Sequence, residues 1–189
     1  EGADMRTFDA AFAGSSVKVL DHTGTEAALH VERWAGRASV DDEALFVDQC
    51  AGPTIDLGCG PGRLVRALLE RGVSTVGVDS SAEAVRLART QGLPVLRRNI
   101  FDPVPREGEW SHAILADGNV GIGGRPVRLL RRAWAMLAAG GRLHIELGEP
   151  GFGVAHGWRQ LRVDGHLGPR FPWAAVSIDA IGELGARAG

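Results

Sequence analysis

The stretch Thr54-Ile-Asp-Leu-Gly-Cys-Gly-Pro-Gly-Arg-Leu-Val65 sets an acid, three glycines and a proline between a short apolar run and an amphipathic one. Glycine loses more conformational freedom on folding than any other residue, so three at alternate positions, 58, 60 and 62, ask for more than a change of direction. A bare turn needs one. The spacing predicts a strand that hands over to a helix through a backbone held open for close approach by a ligand.

The rest of the chain supports that placement by strand and helix alternation. "STVGVD" (74–79) reads as a strand, and "RLVRALLERG" (63–72) before it as a helix stopped by Gly72. "SSAEAVRLARTQG" (80–92) follows as a helix, with Ser80 and Glu83 as its capping box and Gly92 as its end. Then come strand "PVLRRNI" (94–100), strand "SHAILAD" (111–117), a helix with Pro126 in its first turn, an "AAGG" stop (138–141) and strand "RLHIEL" (142–147). Strands joined through helices specify a doubly wound, mostly parallel sheet with helices on both faces, an α/β class. Before this core, "VKVLDHTGTEAALHVERW" (17–34) predicts a hairpin, and "DDEALFVDQC" (41–50) a short helix capped by Asp41 or Asp42. After it, 158–176 predicts two strands around Asp164-Gly165, and 177–189 a last helix. At 189 residues this is one domain: an N-terminal cap (1–50), a cofactor-binding core (51–150) and a substrate-side segment with the last helix (151–189).

Composition narrows the partners. A formal net charge of -2 leaves no basic footprint for nucleic acid or an anionic membrane, which makes both unfavoured partners. Cys50 and Cys59 stand outside any metal-ligand or CxxC spacing, so no metal is expected and both read as reduced thiols. With no bilayer-length apolar run and no signal-peptide pattern at the start, the expectation is a cytoplasmic protein.

The spacing also selects a ligand. Asp56, two residues ahead of the first glycine, is a poor neighbour for a pyrophosphate and a good one for an ammonium group, so the ligand carries positive charge. Asp79 ends the next strand, where an acid takes the hydroxyls of a ribose. Together, "DLGCGPG" and "VGVD" resemble motif I and the following acid of the class I S-adenosylmethionine-dependent methyltransferases, over roughly half the chain from Thr54 to Leu147. The resemblance implies S-adenosyl-L-methionine as cofactor and methyl transfer to a small molecule. It implies that Gly58, Gly60 and Gly62 admit the methionine part and the ribose, that Asp56 holds the amino group, and that Asp79 chelates the ribose. Asn99 and Ile100 would face adenine, although the family often has an acid where Asn99 stands. Asp117, Gly118 and Asn119 would line the methionine side and the substrate mouth, and Cys59 and Ser80 complete the cofactor-binding set.

"ADGN" (116–119) is not the Asn/Asp-Pro-Pro-aromatic tetrapeptide of enzymes that methylate base amino groups, and "GIGGRP" (121–126) lacks the Lys-Ser/Thr of a phosphate loop. A catalytic base is less legible. His144 reads as a core histidine; Glu146, Glu149 and His156 flank the end of the fifth strand, with His156 and Glu149 the candidates for base. Trp158, Phe171 and Trp173 either wall a substrate pocket or pack on the sheet. Two other readings remain: a non-catalytic S-adenosylmethionine-binding subunit, and a nicotinamide-dependent oxidoreductase, which Asp56 and the glycine spacing disfavour. Finally, the family's last two strands are not found after the fifth. Its exposed edge calls for cover by the inserted hairpin, by a second copy in a homodimer, or by residues of a longer chain, the last being the favoured expectation.

Overall fold

The computed structural model describes residues 6–13 and 16–189. In chain order the elements are α1 (Arg6–Ala13), β1 (Val17–Asp21), β2 (Glu26–Ala28), α2 (Glu32–Ala35), α3 (Val40–Leu45), β3 (Thr54–Leu57), α4 (Arg63–Glu70), β4 (Thr75–Asp79), α5 (Ala82–Thr90), β5 (Val95–Arg97), β6 (Trp110–Leu115), α6 (Pro126–Met136), β7 (Leu137–Ile145), β8 (Val154–Val163), β9 (His166–Val176) and α7 (Ile181–Ala188). Five strands form one parallel sheet in the order β5-β4-β3-β6-β7. The chain starts in the middle, at β3, builds outward to β5, then returns to add β6 and β7. That reversal opens a crevice at the carboxyl ends of β3 and β6, where ligands of doubly wound sheets bind.

Alternation along β6 sets the layers. Ala113 and Leu115 join the core that holds Leu129, Ala133 and Met136 of α6, while Ile114 packs with Leu64 and Leu68 of α4. Leu115, Leu129 and Leu68 are fully buried, and each such side chain contributes roughly 1.5–3 kcal/mol. Pro126 takes the first helical position of α6, where its missing N–H costs nothing.

Three local expectations are corrected. The cap of α3 is Ser39, in a capping box with Asp42 at its third position, because a serine hydroxyl both accepts the Asp42 N–H and donates to its carboxylate. The cap of α5 is Ser81, whose hydroxyl accepts the Ala84 N–H, and Glu83 instead pairs with Arg86. "AAGG" does not end α6 as a loop: residues 138–141 lie within β7, which starts directly after the helix and shifts register against β6 between Trp110 and His112.

A second, antiparallel sheet has the order β2-β1-β8-β9. The expected hairpin is present but shorter than 17–34, because α2 begins at Glu32. The C-terminal hairpin around Asp164-Gly165 does not cover the edge of β7: it pairs with β1, Val19 opposite Leu161 and Asp21 opposite Arg159. Beyond the end of β7, a parallel bridge from Gly148 to Ser177 is the contact with the hairpin. Among the described residues no strand follows β9; α7 instead lies on α6, with Leu184 buried and Arg131 donating to the Arg187 carbonyl. Among the described residues no helix is long and apolar enough to cross a membrane.

Candidate active site

The glycine turn after β3 is held from two sides. The N–H groups of Gly58 and Cys59 donate to the Val78 carbonyl, and the Gly60 N–H donates to Asp79 Oδ2 at 2.8 Å. Asp79 Oδ1 accepts the Ser81 N–H, so one carboxylate ties the turn to the start of α5. All three glycines have left-handed φ, +77° at Gly58, +54° at Gly60 and +91° at Gly62, which side chains rarely adopt. Their surroundings differ. A Cβ on Gly58 would stand 2.7 Å from the Asn119 amide, whereas one on Gly60 meets nothing nearer than 3.9 Å, at Phe12 and Trp34, and would project into open cavity. At Gly62 the missing Cβ makes room for Leu93, so this glycine serves packing of the helix start.

Behind the turn lies an unusual set of charges. Asp56 is 2% exposed, lines the cavity, and receives no hydrogen bond on its carboxylate among the described residues. Burial pushes it up to about 7, with Asp117, Asp79 and Asp42 adding to the effect and Arg63 opposing it. Asp79 is raised too, by burial, against the backbone N–H groups that favour its charged form. Arg63, the first residue of α4, is buried and pairs with Asp117 at 2.9 Å and Asp42 at 3.1 Å. Its Nε is buried and has no partner among the described residues. Asp117 itself holds a left-handed φ of +52°, and its N–H donates to Glu146 Oε2 at 2.6 Å. Three carboxylates, Asp42, Asp56 and Asp117, thus act on one guanidinium, with Asp79 adding its charge at Asp56, an arrangement that stabilises a cation brought into it.

The cavity is open to solvent, and its atom-free space, the open solvent at its mouth included, is about 880 Å³. Asp56, Gly58, Gly60, Asp79 and Asn119 line it together with Phe8, Phe12, Trp34, Phe171 and Trp173, of which Phe12 and Trp34 stand nearest Gly60. Helix α1 is pinned over it by Asp9, whose carboxylate accepts the Ser81 hydroxyl and the Glu83 N–H. A second hollow shares Gly58 and Asp79 and adds Ser80, Asn99, Ile100 and Phe101. Asn99 Oδ1 accepts the Phe101 N–H, which fixes the amide plane at the rim. A third cleft holds Asp117, Gly118 and Glu146.

The expected cofactor residues line the cavity and the hollows beside it, except Gly62, which lines none of them, and two more differ in role. Asn119 lines the cavity, but its amide donates to the Leu57 and Gly58 carbonyls and so braces the turn. Cys59 lines it too, its thiol donating to the Gly60 carbonyl and pushed well up by burial. The base candidates fare differently. His156 is exposed, with its ring on the Gly124 carbonyl, and Glu149 is exposed; neither lines the cavity. Trp158 lies under Arg170, while Phe171 and Trp173 form the cavity wall. His144 meets His112 at 3.0 Å, with the Cys50 thiol near both, all three offering ligand atoms within 4.8 Å. The hydrogen bonds account for this group: the Ala51 N–H donates to His112 Nε2, which leaves the His112 proton on Nδ1 for His144.

Several cavity residues were not anticipated: Phe8, Phe12, Trp34, Asp42, Arg63, Phe101 and Arg159. Arg63 had a signal, since it directly follows the third glycine and occupies the first turn of α4. The aromatic residues had none, because nothing local says that Phe8 meets both Trp34 and Phe171.

A parallel sheet of this order, with acids closing its first two strands around a glycine turn, defines the Rossmann-like fold of class I methyltransferases. Residues 55–141 match the family model described as a methyltransferase domain. Among curated proteins, a trans-aconitate 2-methyltransferase from Paracidovorax citrulli is 31% identical over 141 residues, 72% of this chain and 50% of the relative. One from Delftia acidovorans is 35% identical over 100 residues, 49% of this chain and 37% of the relative. The chain spans half or less of the length of these relatives. Among solved structures, an S-adenosylmethionine-dependent methyltransferase from Bacteroides fragilis, in complex with S-adenosylhomocysteine, superposes with a TM-score of 0.72 at 19% identity, covering 98% of this chain and 84% of that one. The CcbJ methyltransferase from Streptomyces caelestis gives 0.60 at 18% identity, covering 82% and 80%.

Proposed function

We propose that the chain binds S-adenosyl-L-methionine at the carboxyl ends of β3, β4 and β6 and directs its methyl group to a small-molecule acceptor. The observation that carries this reading is the charge pattern behind the glycine turn: a buried Asp56 without a hydrogen bond beside an Arg63 whose Nε is orphaned. A zwitterionic amino acid end satisfies both, its ammonium on Asp56 and its carboxylate on Arg63 Nε. Each Asp79 oxygen accepts one backbone N–H and keeps a lone pair for a ribose hydroxyl. Ser80, Asn99, Ile100 and Phe101 line the hollow for adenine.

When bound, the cofactor supplies a methyl group on a sulfonium, open to in-line displacement. The chain's own part is positioning and exclusion of water. Phe8, Phe12, Trp34, Phe171 and Trp173 form dry walls around an acceptor, and Asp9 keeps α1 closed over it. Neither His156 nor Glu149 faces the acceptor, so proton removal by either is not part of the reading. A cytoplasmic setting fits the two free thiols, Cys50 and Cys59.

Calorimetry against S-adenosylhomocysteine and NADH tests the cofactor. Binding of S-adenosylhomocysteine is expected, and binding of NADH alone would overturn the reading. Mass spectrometry of products from an acceptor panel then separates an enzyme from a subunit that only binds.

A further inference from the structure

The face of the antiparallel sheet that looks into the cavity carries Val19, Leu161, Phe171 and Trp173, in a row where alternate positions share one side. Arg159 stands in that row, two residues from Leu161 and opposite Phe171. A position with such neighbours suits valine or leucine. The guanidinium lies 4.9 Å over the Trp173 ring and, among the described residues, makes no hydrogen bond or ion pair. Its cross-strand partner, Asp21, turns Oδ1 to the Thr23 hydroxyl and the N–H groups of Thr23 and Thr25. Arg162 makes the contrast: three residues on along the same strand, it pairs with Glu26 at 2.7 Å. The Asp21 charge acts on Arg159 only through space, and an inward arginine with no carboxylate in hydrogen-bond contact among the described residues is costly to the free protein and calls for an anion from outside.

The place of Arg159 says which ligand brings it. It lines the cavity beside Phe171 and Trp173 and also borders the cleft of Asp117, Gly118 and Glu146, but not the hollow of Ser80 and Asn99. The charge count says how many anionic groups fit. Arg63 is the other cation of the cavity among the described residues, and Asp42 and Asp117 already pair with it. A trianion would meet one free guanidinium and the field of Asp56, Asp79 and Asp117. A monoanion with an apolar body meets that guanidinium and five aromatic walls. We propose that the methyl acceptor is an amphipathic monocarboxylate, its carboxylate held in the planar fork of Arg159 over Trp173 and its apolar body among Phe8, Phe12, Trp34 and Phe171. This rests on the cofactor reading above.

The full chain, saturated with S-adenosylhomocysteine, is titrated calorimetrically with trans-cinnamate, hexanoate, their two amides, trans-aconitate and phenyl phosphate. At least one monocarboxylate is expected to bind tenfold or more tighter than its amide and tighter than trans-aconitate. Arg159→Gln brings acid and amide within twofold of each other, and Arg159→Lys retains part of the preference. Arg159→Leu, with no ligand, raises the thermal midpoint, since it removes an unpaired inward charge; a lowered midpoint contradicts the premise. The proposal is overturned if neither monocarboxylate binds, if amides bind as well as acids, if trans-aconitate or phenyl phosphate binds tighter than both acids, or if Arg159→Gln keeps the preference. Failure of S-adenosylhomocysteine to bind the unmodified chain removes the cofactor reading and this proposal with it. Normal binding followed by any of those outcomes removes this proposal alone.

Discussion

Asp56→Asn separates the cost of the charged site from its use. Asp56 has a folded pKa of about 7 against an ordinary 3.8. Between those two values the folded protein holds a proton that the unfolded chain has lost, so stability falls as pH rises from about 4 to 7 and then levels. With 1.36 kcal/mol per unit, three units amount to about 4 kcal/mol of destabilisation at pH 8. Asparagine is close in shape to the protonated acid and does not ionise. Urea denaturation of the ligand-free protein should therefore find Asp56→Asn little changed near pH 4 and more stable than the parent at pH 8, by up to about 4 kcal/mol, the gap opening between those limits. Affinity for S-adenosylhomocysteine at pH 8 should move the other way, weakened by about 1.5–3 kcal/mol through loss of a charge-assisted hydrogen bond to the ammonium group. A stability difference that is the same at pH 5 and pH 8, or a variant less stable at pH 8, would refute the account of Asp56 as a strained acid awaiting a cation.

Other outcomes follow from the same geometry. Asp79→Ala should weaken S-adenosylhomocysteine by about 1.5–3 kcal/mol in calorimetry, and unchanged affinity in a folded variant would remove Asp79 from the site. Gly60→Val places a side chain in the cavity at a φ of +54°, so it should abolish cofactor binding while the far-ultraviolet circular dichroism keeps its helical signal; retained binding would assign the glycine to the turn alone. Arg63→Met leaves Asp42 and Asp117 without their partner and should cost about 3–5 kcal/mol in urea denaturation at pH 8, where a cost under 1 kcal/mol would show the pairs to be inert. His156→Ala, outside the cavity, should leave S-adenosylhomocysteine affinity within about twofold, a change of less than 0.5 kcal/mol, and a tenfold loss would return His156 to the site.

The sequence by itself determined what short-range physics encodes. Strand and helix periods, glycine stops and the handover at residues 54–65 specify a parallel α/β core, and the spacing of Asp56, three glycines and Asp79 brings two acids to one glycine turn. These features lie within about 25 residues and need no distant partner. Caps were legible only to within one to three residues, because Ser80 and Ser81, or Asp41, Asp42 and Ser39, offer similar capping oxygens and backbone angle chooses between them. Tertiary structure decided the rest. Val17–Asp21 pairs with Val154–Val163 across more than 130 residues, and that pairing turns Arg159 inward beside aromatic residues from both ends of the chain. It also selected among the acids and histidines after the fifth strand: Glu146 reaches the Asp117 N–H, while Glu149 and His156, only a few residues further on, face solvent. Which side of a strand faces a cavity depends on register with strands far away in sequence, and no local pattern carries that register.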